Sequence, residues 1–524
     1  MMKINQRTIF ILLIFNFLVR LIIILLTNLG NDEVYYVQYA LNPDISHFDH
    51  PPLVGLLIRL STFNLYFIHN DFFVRLGALI IGSLNLFIVY KIGAMLKDRV
   101  TGLISALLYS SSFYTSIIVG TFILPDTPLS LFWLLSILAF IYFISNPQKF
   151  RYAIIIFGLT VGFGLVSKYQ AIFLWVGATL YFLIYNRQTL FTSKFWISIG
   201  LTLIIFSPIL YWNFTSDYSG INYHSERVGN KSWIPSFDYF FSEFFGQIFY
   251  HNPFNIVLII IAFMQTFKQN IRSIDKKITF LLCCGLPLIL LTLFMSLFNK
   301  TLPHWSGPAY FSLILITGYS CTSLENSMPK KSLRNIMVSG VFFFYLIVGS
   351  ALFQIKTGFF SSSNRSEVEK IGRSDFTVDI GLWKKIANEI ALKIDRDKLS
   401  NSSDCSNNYI FTHNWFPAAH IDYYYALPNN IKLFVTGNYK KQHEYIKINK
   451  LRGRIPLHSN VYYISTSNYY QAPEQTLVDK FENIETVEII PIQIKNKTIV
   501  NLFIWKLIDL KEDINLHTTK DKIN

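Results

Sequence analysis

The sequence predicts a polytopic α-helical membrane protein of about eleven transmembrane helices, with room for up to thirteen, followed by a small soluble α/β domain. Three observations predict it. Of 524 residues, 52% are hydrophobic and 15% charged, where soluble domains carry about 25% charged residues. Apolar runs long enough to cross a bilayer recur through residues 1–353. Beyond residue 353 they give way to short alternating segments, and the charge becomes more balanced. That tail holds 23 Lys+Arg against 19 Asp+Glu, the first 353 residues 23 against 13. This composition excludes a disordered chain, a collagen-like chain and a disulfide-stapled mini-protein.

The runs lie at 9–29, 72–96, 101–120, 127–145, 152–167, 170–186, 195–213, 253–267, 278–298, 305–323 and 333–353. The first is too long for a signal-peptide core and lacks a small-residue cleavage site, so it reads as a retained helix. Loops between the runs alternate in charge. One set carries Lys3, Arg7, Lys97, Arg99, Lys149, Arg151, Arg187, Lys194, Lys268, Arg272, Lys276, Lys277, Lys330, Lys331 and Arg334, with only Asp98, Asp275 and Glu325 as acids. The other set holds the remaining acids of the membrane part. The positive-inside tendency puts the first set, and the N-terminus, in the cytoplasm. An odd number of crossings then leaves residues 354–524 outside. The net charge of +14 follows from this topology and needs no nucleic-acid partner.

Residues 1–353 therefore form the expected transmembrane domain, with long outer loops at 30–71 and 214–252, and residues 354–524 the outer domain. In the tail, Ile380, Trp383, Ile386, Ile390 and Ile394 keep helical spacing. YIFTH at 409–413, IKLFVTG at 431–437, NVYYIST at 460–466, VEIIPI at 487–492 and TIVNLFIWKLI at 498–508 read as strands. No nucleotide-binding glycine fingerprint is present. Cys283, Cys284, Cys321 and Cys405 show neither metal spacing nor a disulfide framework.

Ionisable residues at a membrane boundary are costly, and that cost makes them candidates for function. Three groups stand out on the outer side: Asp32-Glu33 after the first run, Asp49-His50-Pro51-Pro52-Leu53, and Asp126 in Pro125-Asp126-Thr127-Pro128. Each has an ordinary alternative, a wetted loop or an acid at a helix N-terminus. A carboxylate at the lipid–water boundary sits in reduced dielectric, which shifts it towards general-base duty. His50, Arg59, Lys168, Arg227 and His304 supply nearby positive or titratable groups for a phosphate. Lys168 interrupts GLVSKYQAIF and either snorkels to the surface or binds an anion. A charged cavity open to the bilayer suits a substrate with a lipid tail and a phosphate head. Tyr35, Tyr36, Tyr169 and Trp305 are candidates for stacking on sugars or for a membrane-interface belt.

DE at 32–33 followed by FDHPPL at 48–53 resembles the first outer loop of the lipid-linked-sugar glycosyltransferases. These include the protein O-mannosyltransferases and the lipid A aminoarabinose transferases. LPDTPLSLFW at 124–133 resembles their second acidic motif. GLVSKYQAIF, SPILYWN at 207–213 and LPHWSGPAY at 302–310 resemble the bacterial branch. IKLFVTGNYKKQHEYI resembles a tail segment that in that branch often ends in a Gln-Tyr pair. The resemblance implies the C-type glycosyltransferase fold and transfer of a sugar from a polyprenyl-phosphate donor to a lipid, glycan or protein acceptor at the outer face of a bacterial inner membrane. It implies Asp32 as catalytic base and Asp126 as the second catalytic acid, which positions acceptor or site. Glu33, His50, Arg59, Lys168, Arg227 and His304 would bind substrate or donor phosphate. Asp49 stands where some relatives have an acid that leaves a divalent metal ion open; no other cofactor is implied. A transporter or flippase of lipid-linked saccharides is the competing reading; it predicts ionisable residues near the bilayer midplane.

Overall fold

A computed structural model describes residues 6–216, 220, 225, 229, 234–268, 274–324, 329–361, 367–373, 375–400 and 409–514. Two compact units emerge. The first runs to Ile24 and comprises Pro43–Leu65 and Phe72–Val348 besides; the second comprises Leu25–Asn42, Tyr66–Asp71 and the chain from Gly349.

The first unit is helical. Among the described residues, six helices are long and apolar enough to cross a membrane: Arg7–Leu26, Asp71–Leu96, Asp126–Ser145, Ser193–Thr215, Lys276–Ser296 and Lys330–Thr357. The pair Phe237–Tyr250 and Pro253–Lys268, bent by 97°, counts as a seventh if taken as one span. Three shorter apolar helices are Ala153–Ser167, Tyr169–Tyr185 and Ala309–Thr322. The eleven apolar runs are helical, but length alone qualifies only these six or seven. The third run is cut after Arg99–Ser110 by a π-helical turn at Tyr114–Ile118. Twelve helical residues rise about 18 Å, short of a hydrocarbon core of about 30 Å. Part of the expected loop at 214–252 is instead the helix Phe237–Tyr250.

Polar side chains set helix starts in the basic loops. Asp98 accepts from the Thr101 amide at 2.8 Å, and Asp275 from the Lys277 amide at 2.7 Å. Between the helices the core is aromatic: Phe140 stacks on Phe280 at 4.0 Å. Gly158 lets Ala153–Ser167 lie directly on the Ser198 backbone, where any Cβ would collide. Small residues allow such close approach in membrane bundles.

The second unit centres on a six-stranded sheet: β1 Tyr409–His413, β2 Lys432–Thr436, β3 Val461–Thr466, β4 Phe481–Ile484, β5 Glu488–Ile494 and β6 Lys497–Leu510. Its order is β2-β1-β3-β6-β4, with β5 also on β6. β1 runs parallel to β2 and β3; β6 is antiparallel to its partners. Phe411, Phe434, Tyr463, Phe503 and Trp505 pack together on the sheet. The helix Trp383–Ser400 buries Trp383, Ile386, Ile390 and Ile394, the spacing read from the sequence. The strands lie where the alternation put them, except β4, whose short polar FENI carries no apolar period.

The compact units do not coincide with the division expected at 353/354. Residues 25–42 and 66–71 group with the tail because polar bonds hold them there. Gln38 Nε2 donates to Asp422 at 3.0 Å, and the Leu29 amide to the Tyr424 hydroxyl at 2.7 Å. Asp71 pairs with Lys384 at 2.7 Å and accepts from Tyr423 at 3.1 Å.

Candidate active site

In the helical unit the site is built around Asp126, the first residue of Asp126–Ser145. Lys168 ends the helix Ala153–Ser167 in an extended conformation. That break frees its side chain to reach Asp126, with Nζ 2.8 Å from Oδ2 and 3.0 Å from Oδ1. Both side chains are about 95% buried. Lys168 thus neither snorkels nor waits alone for an anion; it is one half of a buried ion pair. The Tyr114 hydroxyl donates to Asp126 Oδ1 at 2.8 Å, and His304 acts on the carboxylate electrostatically. Three residues chosen from sequence, Asp126, Lys168 and His304, are therefore brought together. Tyr114 sits on the π-helical turn, and its ring occupies the space that a Cβ on Gly307 would fill. A glycine in LPHWSGPAY is required there by that close approach.

Behind Tyr114 runs a buried polar chain. His251 lies 5.5 Å from Tyr114, centroid to centroid, and stacks on Tyr310 at 3.6 Å. The Tyr310 hydroxyl donates to Gln247 Oε1, and Gln247 Nε2 to Glu243 Oε1, each at 2.8 Å. Thr301 donates to the other Glu243 oxygen at 2.7 Å. Sequence reasoning missed Tyr114, Glu243, Gln247 and His251. The i,i+4 pair Glu243 and Gln247 inside an aromatic run was a readable signal; Tyr114 carried none.

Asp49 is buried and acts on Tyr169, the neighbour of Lys168, whose hydroxyl shares hydrogen bonds with Asn213 and Ser46. Tyr169 and Asn213 line, with Thr179 and Thr202, a mostly apolar cavity of about 520 Å³ whose walls include Leu165, Trp175, Phe206 and Leu210. Among the described residues no three His, Cys, Asp or Glu side chains could hold a metal ion. The His50 carbonyl accepts from the His47 amide at 3.3 Å, and Arg59 donates to Asn64 at 2.7 Å. Arg227 lies outside the described residues.

In the second unit, Asn31, Asp32 and Glu33 open the helix Asn31–Leu41. Asp32 is exposed, in the first turn of that helix. Glu33 is buried and folds back to accept from the Gly30 amide at 2.7 Å, the ordinary capping use of an acid at this position. Asn31 Nδ2 donates to Asp379 and to the Tyr469 hydroxyl, each at 3.1 Å. Burial raises the Asp379 carboxyl above the usual range, against the hydrogen bonds from Tyr469 and Asn31 that favour its charge. His420 is fully buried, which holds it well below the usual imidazole range and hence neutral. Its Nε2 lies 2.7 Å from Asn31 Oδ1. Since Asn31 spends its amide on Asp379, that histidine nitrogen carries the proton. Tyr469 feels the charge of Asp32.

Residues 49–212, which include the Asp126–Lys168 pair, match the model of the dolichyl-phosphate-mannose-protein mannosyltransferase family. The chain is 20% identical over 318 residues to the lipid A galacturonosyltransferase RgtD of Rhizobium johnstonii, a match covering 59% of this chain and 63% of that protein, less than two thirds of its length. Its fold is that of ArnT from Cupriavidus metallidurans. The apo form aligns with a TM-score of 0.61 at 10% identity, over 95% of this chain and 98% of the other. The form bound to undecaprenyl phosphate aligns at 0.60 and 9% identity, over 96% and 98%. This is the C-type glycosyltransferase fold expected from the motifs. At such identity the likeness is one of architecture.

Proposed function

We propose that the protein is an integral-membrane glycosyltransferase that moves a sugar from a polyprenyl-phosphate donor to a lipid, glycan or protein acceptor. The observation that carries this reading is the family match at 49–212, inside which Asp126 and Lys168 form their buried pair. A flippase for lipid-linked saccharides would need the helices but not that match. RgtD is a lipid A galacturonosyltransferase, which supports a lipid acceptor first. The solved relative holds undecaprenyl phosphate, which supports a polyprenyl-phosphate donor.

In this reading the acceptor hydroxyl oxygen forms a bond to the anomeric carbon. The bond from that carbon to the phosphate oxygen breaks, and the polyprenyl phosphate leaves with the electron pair. Asp32 takes the acceptor proton, a duty that its exposure permits, and the anomeric centre inverts. Lys168 and His304 set the positive field around Asp126, with Tyr114 fixing the carboxylate. Preorganised charge of this kind is a main source of rate in transfer from a phosphate leaving group. His50, Arg59 and Arg227 remain assigned to donor-phosphate contact, and the mostly apolar cavity lined in part by Tyr169 suits the isoprenoid tail. Among the described residues no three His, Cys, Asp or Glu side chains cluster to hold an ion, and no metal step is assigned to Asp49. All eleven apolar runs would cross the inner membrane, the shorter ones included. The N-terminus would lie in the cytoplasm and residues 354–524 in the periplasm.

The test uses purified protein in detergent, radiolabelled polyprenyl-phosphate sugars and a membrane lipid extract as acceptor source, with Asp32→Asn alongside. Label leaving the donor only with wild type supports the reading. Equal release by the variant removes Asp32 from its role.

A further inference from the structure

β1 is flanked by β2 on one side and β3 on the other, both parallel to it. The chain leaves β1 towards β2 and leaves β3 towards the opposite edge. In open α/β sheets the carboxyl ends of strands at such a switch point form a crevice where ligands bind. A second, independent observation falls at the same place. Thr412 Oγ1, His413 Nδ1, Asn414 Oδ1, Thr466 Oγ1 and Asn468 Oδ1 are buried atoms with no hydrogen-bond partner among the described residues. Thr412 and Asn414 flank the end of β1, and Thr466 and Asn468 that of β3. Thr412, Thr466 and Asn468 are more than 90% buried. Native proteins leave few buried polar atoms unmatched, and each asks for a missing partner. Five at one strand edge point to a ligand rather than to chance.

The donor set says which kind. It is neutral: hydroxyls, amides and an imidazole that burial holds below the usual range. Glu474 stands 3.8 Å from His413, and Asp379 accepts from Asn468 at 3.3 Å, so an anion would be repelled. Trp415, which follows Asn414, packs on Tyr35 at 4.8 Å and on His443 at 5.3 Å, and gives an aromatic flank. Neutral donors and acceptors beside aromatic rings fit the hydroxyls and C–H faces of a sugar. Tyr469, next to Asn468, bonds to Asn31 and senses Asp32, so the edge adjoins the carboxylate assigned as base.

We propose that the carboxyl edge of β1 and β3 is a saccharide subsite, taking the sugar either of the donor or of the acceptor. The inference rests on the glycosyltransferase reading. Its test uses full-length protein in nanodiscs, with Thr466→Val and Asn468→Ala. Thr466→Val removes only an unmatched hydroxyl, so its melting temperature should hold or rise, whereas a structural role would lower it; Asn468→Ala also gives up the bond to Asp379, so it is read by KM and not by melting. In the transfer assay the KM for one substrate should rise at least tenfold with kcat within about threefold. A shift in donor KM assigns the site to the donor sugar, and a shift in acceptor KM to the acceptor glycan. Unchanged KM for both, with wild type active, overturns the subsite and leaves the transferase reading intact. A second arm needs no turnover: saturation-transfer NMR with a panel of methyl glycosides. A sugar signal lost in both variants supports the subsite even if no donor is consumed; a signal equal in wild type and variants, or none at all, overturns it.

Discussion

Asp126 and Asp32 were marked by the same reasoning, as acids beside apolar runs, yet the two compact units treat them in opposite ways. In the helical unit Asp126 is sealed from water and clamped by Lys168 and Tyr114. In the other unit Asp32 is exposed at the mouth of a short helix, while its neighbour Glu33 does the capping. A carboxylate that is buried and paired organises its surroundings; one that is open can exchange a proton with a substrate. The difference teaches that position in a motif selects candidates, and environment divides the roles among them.

The widest gap between the two acids should appear in rate. Asp32→Asn is expected to lower transfer by about 100- to 10,000-fold, the usual worth of a positioned base, with an unfolding midpoint close to wild type. A variant within a few-fold of wild type would collapse the comparison. Asp126→Asn should show the reverse emphasis: it strands the Lys168 ammonium and destabilises by about 3–5 kcal/mol, read by thermal unfolding in detergent. Pairing it with Lys168→Met should return most of that stability without returning transfer, since the charge goes but so does the field. If the double variant is no more stable than the single, the ion pair is not what holds the two helices. Tyr114→Phe removes one hydrogen bond to a charged group and should cost about 1.5–3 kcal/mol; an unchanged midpoint would mean that Lys168 alone fixes Asp126. The smallest effect belongs to Glu33→Ala, which loses a cap worth about 1 kcal/mol. Faster amide exchange at Gly30, with little change elsewhere, is its expected signature.

Much of this architecture was legible because apolar periodicity is local. The eleven runs are helices, and five of the six strands lie where alternation put them. What escaped was non-local. Nothing near Lys168 announces that its helix breaks so that it can reach Asp126, 42 residues away. The helix Asn31–Leu41 looked like an outer loop of the membrane part; its place with the tail depends on Gln38 meeting Asp422, 384 residues on. Phe237–Tyr250 read as a loop because Glu243 and Gln247 interrupt its apolar residues, although their i,i+4 spacing places both on one face. The exposure of Asp32 could not be read at all, because solvent access is set by how the rest of the unit packs.

The most direct test of the central claim is whether wild-type protein moves label from an undecaprenyl-phosphate sugar to a lipid acceptor in a defined bilayer. The account predicts a labelled product and release of undecaprenyl phosphate in equal amounts, from at least one sugar in the panel. Binding of those donors with no label leaving any of them, in the presence of lipid A and of the other membrane glycolipids, would contradict it.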